Sequence, residues 1–561
     1  MTNQAPAFTA WLDDFFASYY RNRPVNATFT GIHSYDSTLP DFSARGTAAT
    51  QAEMVSLLER LQQLPAEELS FAQATDRRLA KGFLHIQLWE YQSNHFQRGN
   101  PCVYTGEAVF SILALFLTDF APLSERVKVA IERMNAIPVL LEQGQTNLLH
   151  APSAWVDRAV RECDGAWAFF GVGCDQLMKD EGIQNAEFRK AADTAGAAFA
   201  RFKDFLMNDL QPATVENYGC GEEAFTLMLR EGHCIEMSPD EIVRYAEEQI
   251  AQAEAYLAVH APDFGSLDWR TALAGLAELH PTVEDYYARY TDLWQACKTA
   301  AENSDLLTWP DFPIEYVPVP AWARQAAPYL YFLPYRAPAA FNRPPVHRYL
   351  VTPIDASLSH ADQQKRLRSV NDSVIKLNHV VHHGSIGHHV QNYRAYQAES
   401  RIGQVAAIDC AARIGMFCGG TMAEGWACYT TDLIGETGYL TPLEQYSEMQ
   451  SRLRMASRAI VDVRLHQGVF SLAEAAAFYE RHAGMPPEAA LGEAVKNSMF
   501  PGAAVIYLLG TDGIRNLRNE LTHRLGSRFS LRAFHDRFLS YGSIPVTLIC
   551  EDMLSHATDA E

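Results

Sequence analysis

The stretch His379-Val380-Val381-His382-His383-Gly384-Ser385-Ile386-Gly387-His388-His389 packs five of the chain's nineteen histidines into eleven residues. Imidazole is the commonest protein ligand for transition metals, whereas solvated faces are normally built from Lys and Glu, so a metal site is the expectation. On a regular helix, residues four apart share a face, and geometry alone therefore prefers His379 and His383 as a chelating pair. His382 and His388 are about 120° out of phase on an ideal helix and converge only if Gly384 and Gly387 permit a bulge or kink. His382 and His389 share a face but lie two turns apart, about 10 Å along the axis, too far for one ion.

Outward from this stretch the pattern is helical. Apolar residues recur at three- and four-residue spacing from Ala361 to Gln391 and from Ile408 to about Leu433, and helices are predicted over Pro442–His466, Ser471–His482, Pro487–Lys496, Ala503–Arg524 and Leu531–Leu539. The region before the cluster, Leu306–Pro353, is rich in proline and mixed with aromatic and β-branched residues. Loop and short edge strand are expected there, in Ile314-Glu-Tyr-Val-Pro-Val and Arg348-Tyr-Leu-Val. The N-terminal part reads as helices over Phe8–Leu64, Ser70–Phe96, Leu123–Leu148, Ser153–Met178, Asn185–Met207 and Pro239–His260. The organisation expected is a helical scaffold and cleft wall over 1–305, a connector over 306–353 and a helical half over 354–561 that carries the metal site.

A chain of 561 residues exceeds the roughly 250–300 at which one core stops growing, so two lobes or a long layered body are expected. With 48% hydrophobic and 20% charged residues the composition is globular. The formal charge of −21 disfavours nucleic acid and anionic lipid as partners and leaves a small molecule or short peptide as the expected substrate. Asp13 and Asp14 interrupt the only apolar run near the N-terminus, which reads as no export signal, and no stretch reaches the ~18–20 apolar residues of a membrane span. Ten cysteines without a CxxC pair, among them Cys410, Cys418 and Cys428 at helical apolar positions, suggest free thiols in a reducing cytoplasm.

His382-His-Gly-Ser-Ile-Gly387-His388-His389-Val-Gln391 resembles the signature His-Glu-Ala-x-Pro-Gly-His-His-x-Gln of the domain of unknown function 885 family. That family in turn resembles the helical gluzincin metallopeptidases of the thermostable carboxypeptidase and angiotensin-converting enzyme type. Further elements match in order: Glu424-Gly-Trp426-Ala-x-Tyr429, Val461-Asp462-x-x-Leu465-His466, Pro501-Gly502-x-Ala-x-x-Tyr507-x-x-Gly510, and Phe534-His535-Asp536 through Gly542-x-Ile-Pro545. The resemblance spans the chain and implies a mainly α, two-lobed body with a deep cleft and a small β/loop element. It also implies one divalent metal, zinc foremost with iron or manganese as alternatives, held by His382, His388 and Glu424 with a position open for water. Tyr507 would donate to developing oxyanion charge, and His466 would line the pocket.

One departure matters. The family's glutamate after the first histidine, the expected general base, is His383 here, and Ile386 replaces the family proline. Three outcomes follow. His383 serves as the base and a small peptide or amide is hydrolysed. Alternatively it joins the metal in a histidine-rich iron or manganese site suited to lyase or oxygen chemistry. In the third case the site is inert and the protein binds without reacting.

Overall fold

The computed structural model describes residues 5–65, 69–324, 337–407 and 413–556, and the chain is mainly α-helical. Cys410 and the predicted helix start at Ile408 lie outside the described residues. No helix among the described residues is long and apolar enough to cross a membrane. The described residues divide into two compact units, one holding those within 5–220, 319–324 and 337–344, the other those within 221–318, 345–407 and 413–556. The expected boundaries at 305 and 353 differ from this division, because residues 221–318 pack with the C-terminal elements and 319–344 with the N-terminal ones.

The first unit contains α1 (Ala5–Asn22), α2 (Ala44–Gln63), α3 (Phe71–Gln92), α4 (Cys102–Phe116), α5 (Leu123–Asn147), α6 (Ser153–Ala168) and α7 (Ala186–Phe205). In α1, Trp11 stacks between Phe8 and Phe15 at 5.8 Å, and Phe15 and Tyr19 meet Phe83 of α3 edge-on at 6.2 and 5.7 Å. The spacing of these rings is what the sequence reading caught. It missed α4, whose run Val-Phe-Ser-Ile-Leu-Ala-Leu-Phe is buried on nearly every side and so shows no stripe.

The second unit includes α8 (Pro239–His260) and α9 (Tyr286–Asn303). Ser238 and Glu241 form a reciprocal capping box with Pro239 at the first helical position, which fixes where α8 starts. Two short strands follow, β1 (Ile314–Pro318) and β2 (His347–Val351), paired in parallel with Ile314 opposite His347, close to where short strands were expected. The helix predicted from Ala361 to Gln391 is in fact three pieces: α10 (His360–Ser369), α11 (Ile375–Gly384, a wide π-helix) and α12 (His388–Ala395). Asn371 accepts a hydrogen bond from the Val374 N–H and restarts the helix after the first break.

Beyond these lie α13 (Gly420–Gly435), α14 (Pro442–His466), α15 (Pro487–Met499), α16 (Val505–Leu525) and α17 (Leu531–Ser540). Helices α13 and α16 touch backbone to backbone: a Cβ on Gly425 would lie 2.6 Å from the Gly510 Cα, and one on Gly510 would lie 2.2 Å from the Thr421 carbonyl oxygen. Only glycine allows this crossing. It sets Glu424 and Tyr507, each within a turn of the contact, on adjoining helices. The α14 helix packs against both α8 and α16, and the apolar stripe Ile242, Val243, Ala246, Ile250, Ala253 and Leu257 is the buried face of α8.

Candidate metal centre

The histidines sit at the end of a widened helix, and the widening changes which of them can meet. In a π-helix the backbone bonds run five residues back, and the His383 ring follows that geometry, its Nδ1 lying 2.7 Å from the Asn378 carbonyl oxygen. That nitrogen donates, which puts the lone pair of the neutral ring on Nε2. His379 and His383, the pair preferred from regular spacing, stand with ring centroids 6.4 Å apart, and His379 Nδ1 is bonded instead to the Tyr349 hydroxyl at 2.8 Å. The regular-helix premise fails here, so that pairing fails with it. His389 also points elsewhere, its Nε2 donating to the Phe312 carbonyl at 2.8 Å and its Nδ1 lying 3.2 Å from His347 Nδ1.

His382 and His388 are brought together by the break at Ser385–Gly387. A Cβ on Gly387 would lie 1.9 Å from the His382 carbonyl oxygen, and one on Gly384 would lie 2.1 Å from the Tyr316 hydroxyl, so no other residue fits either place. The turn is held from several sides. Gly387 N–H donates to the Val381 carbonyl at 3.0 Å, Trp426 Nε1–H to the Ile386 carbonyl at 2.8 Å, and Trp294 Nε1–H to the Gly384 carbonyl at 2.7 Å. As a result the His382 and His388 rings stand 4.9 Å apart and nearly perpendicular. His382, His383 and His388 each offer a ring nitrogen within 4.8 Å of the others.

Glu424 of α13 completes the group, with Oε2 3.4 Å from His382 Nε2 and 3.7 Å from His388 Nε2. The three side chains are 14%, 10% and 16% exposed, so the donor atoms remain within reach of solvent. Burial lowers His382 against the pull of Glu424. Burial and the imidazoles of His382, His388 and His379 hold His383 well below the ordinary histidine range. Burial alone would raise the Glu424 carboxyl, but the two imidazoles beside it outweigh that and hold it well below the usual carboxylate range. Neutral imidazoles with an ionised carboxylate are the protonation states a divalent cation requires.

Tyr507, on the first turn of α16, is half-buried, with the Arg458 guanidinium 4.3 Å above its ring. Arg458 in turn bonds Glu493 at 2.7 Å. Neither Arg458 nor Glu493 was singled out in the sequence, since a single charged residue on an amphipathic helix looks like part of a solvated face. His466 must be corrected. It is fully buried, its Nε2 lies 3.1 Å from the Asn497 carbonyl oxygen, and its ring stacks on Phe225, so it lines no pocket. Its motif partner Asp462 has a clear structural task. The buried carboxylate accepts the N–H groups of Gly502, Ala504 and Val505 at 3.1, 2.7 and 3.1 Å and clamps the turn that starts α16. Two further motif residues are joined in the interior: Tyr429 Oη lies 2.9 Å from His535 Nε2, and His535 Nδ1 donates to the Leu306 carbonyl.

A family profile described as a bacterial protein of unknown function, DUF885, matches residues 24–553. Among solved structures, a putative lipoprotein of unknown function from Shewanella oneidensis aligns over 98% of this chain and 99% of its own, at 21% identity and a TM-score of 0.77. Another, from Colwellia psychrerythraea, aligns over the whole of both chains at 16% identity and a TM-score of 0.73. These likenesses establish a shared fold. No curated protein matches.

Proposed function

The chain belongs to the DUF885 family of bacterial proteins of unknown function, and from that premise we propose that it is a metal-dependent enzyme hydrolysing a small peptide or amide. One observation carries the reading: the Glu424 carboxylate stands 3.4 and 3.7 Å from two imidazole nitrogens that face it. A direct charge-assisted hydrogen bond would close to about 2.7–2.9 Å. Two ligands each about 2.1 Å from one ion at the tetrahedral angle lie about 3.4 Å apart. The spacing therefore suits a shared cation better than a direct bond, and the neutral imidazoles and ionised carboxylate suit it chemically. The likeness of the histidine and Glu424 motifs to gluzincin metallopeptidases supports the same class.

His382, His388 and Glu424 would hold the ion, zinc foremost. A zinc-class cation there supplies Lewis acidity toward a carbonyl and an acidified water. The chain's own groups supply the rest. His383, neutral, takes a proton from the attacking water and passes it to the leaving amine. The Tyr507 phenol donates to the oxygen on which negative charge grows, and the cationic Arg458 over its ring favours that donation.

A second reading is kept for one reason: the nearness of His383 to His382 and His388 also suits a third imidazole ligand and non-hydrolytic chemistry with iron or manganese. Replacement of His383 by Glu separates the two. In zinc-reconstituted protein assayed by mass spectrometry against a library of short peptides, H383E is expected to raise cleavage at least tenfold, and Tyr507→Phe to lower it by a similar factor. Absence of cleavage by both wild type and H383E contradicts the hydrolytic reading.

A further inference from the structure

Gln391 closes the histidine motif and Ser543 lies inside the Gly542-x-Ile-Pro545 motif, 152 residues further on. In the fold they meet. Both are buried, and the Gln391 amide nitrogen donates to the Ser543 hydroxyl. The amide oxygen therefore faces the other way, 3.5 Å from His388 Nδ1, at the outer limit of a hydrogen bond. Gln391 lies one turn beyond His388 on α12, so the two side chains share a face. Ser543 is itself fixed. Its N–H donates to the Gly403 carbonyl at 3.0 Å. Gly542 before it holds a φ of +78°, in the left-handed region, where a Cβ would also lie 2.7 Å from that of Ala398. Just past this turn the Val546 N–H donates to the Thr421 hydroxyl at 3.2 Å, one helical turn before Glu424 on α13. One short stretch of chain is thus tied to both ligand-bearing helices, to α12 through Gln391 and to α13 through Thr421.

This arrangement selects a tautomer. His388 turns Nε2 toward Glu424, at 3.7 Å. A neutral imidazole carries one proton, so Nε2 offers a lone pair to a cation only when that proton sits on Nδ1, and a buried Nδ1–H needs an acceptor. The Gln391 amide oxygen supplies one. The reverse amide orientation would set N–H against N–H, and the Ser543 hydroxyl gives the amide nitrogen its own partner on the far side. Glutamine does this without adding a second negative charge beside Glu424. We infer that Gln391, held by Ser543, is a positioning residue that fixes the His388 tautomer able to ligate a cation. The inference rests on the metal-centre reading but not on hydrolysis, and it gives Gln391 no contact with the ion. The partner of a ligating imidazole's second nitrogen sets both the aim and the basicity of the first, which is why its loss weakens metal binding.

The test is the zinc affinity of the tag-free full chain, read by competition with a chromophoric chelator, with circular dichroism on the same samples. Gln391→Met keeps the shape but removes the acceptor and should weaken zinc roughly 10–100-fold. Gln391→Glu restores an acceptor and makes His388 more basic, so it should bind at least as tightly as wild type. Ser543→Ala should weaken zinc in wild type but add little to Q391M, as groups acting in one chain are not additive. A Gln391 that serves packing alone would lose zinc equally in Q391M and Q391E. That result, binding by Q391M within about twofold of wild type, or an S543A effect of equal size in both backgrounds would each overturn the inference. Should Q391M fail to fold, Q391E against wild type decides alone, and binding weaker by about tenfold overturns it. A wild type that binds no zinc would remove the metal-centre reading and this inference together, whereas zinc bound equally by wild type and Q391M removes this inference alone.

Discussion

Glu493 shows how a single charge supports the proposed centre from outside it. Burial alone would raise its carboxyl, but Arg458, Lys496 and Arg454 bring it down to about 2. Its folded pKa lies below the unfolded value of about 4.3, so the stabilisation is fully present above that value and is lost as pH falls toward 2. The size is on the order of 3 kcal/mol at neutral pH, the side chain being only 16% exposed. Glu493→Gln should therefore lower stability at pH 7 and flatten its fall between about pH 4.5 and 2, which urea unfolding at stepped pH would show; an unchanged acid limb would deny Glu493 this part. At this scale the sequence was partly legible. His382, His388 and Glu424 stood out through an ordered set of motifs, whereas spacing alone pointed to His379 and His383 because a regular helix was assumed. Arg458 was invisible, since nothing in one sequence separates a charge laid over a neighbouring ring from one turned to solvent.

Among the elements, the break between α11 and α12 and the crossing of α13 with α16 do most to place the site. Gly387→Ala forces a Cβ into the His382 carbonyl, so the turn must shift and the two imidazoles separate. Metal content should drop to a small fraction of wild type while far-UV circular dichroism stays helical. Full metal retention would show that the turn does not aim the ligands. Gly425→Ala overpacks the crossing and should cost roughly 1–3 kcal/mol in chemical unfolding. Asp462→Ala strips three backbone N–H groups of their acceptor and should cost at least about 2 kcal/mol, with slowed turnover through a displaced Tyr507. Stability within about 0.5 kcal/mol of wild type would contradict the clamp. Capping boxes and apolar stripes made α8 and α14 readable. Helix α4 was not, because burial on all sides erases the 3.6-residue stripe, and the widened turns of α11 leave no period that differs from a regular helix over so short a span.

The chain as a whole folds into two units whose segments interleave, residues 319–344 returning to the N-terminal one. No linear reading could find that division, because the proline-rich stretch looks like a connector while its two ends belong to the second unit and its middle to the first. Within the second unit, α11, α12 and α13 each contribute to one set of donor atoms, so the proposed metal site would couple ion binding to folding of that unit. Chelation should lower the thermal midpoint, and added zinc at about 100 times its Kd should restore on the order of 2.7 kcal/mol. The most direct measurement is the metal-to-chain ratio, by inductively coupled plasma mass spectrometry, of tag-free wild type and Glu424→Ala after zinc reconstitution and dialysis. The account predicts about one ion per wild-type chain and nearly none in E424A. A wild type without metal, or an E424A protein that keeps a full equivalent, would contradict it.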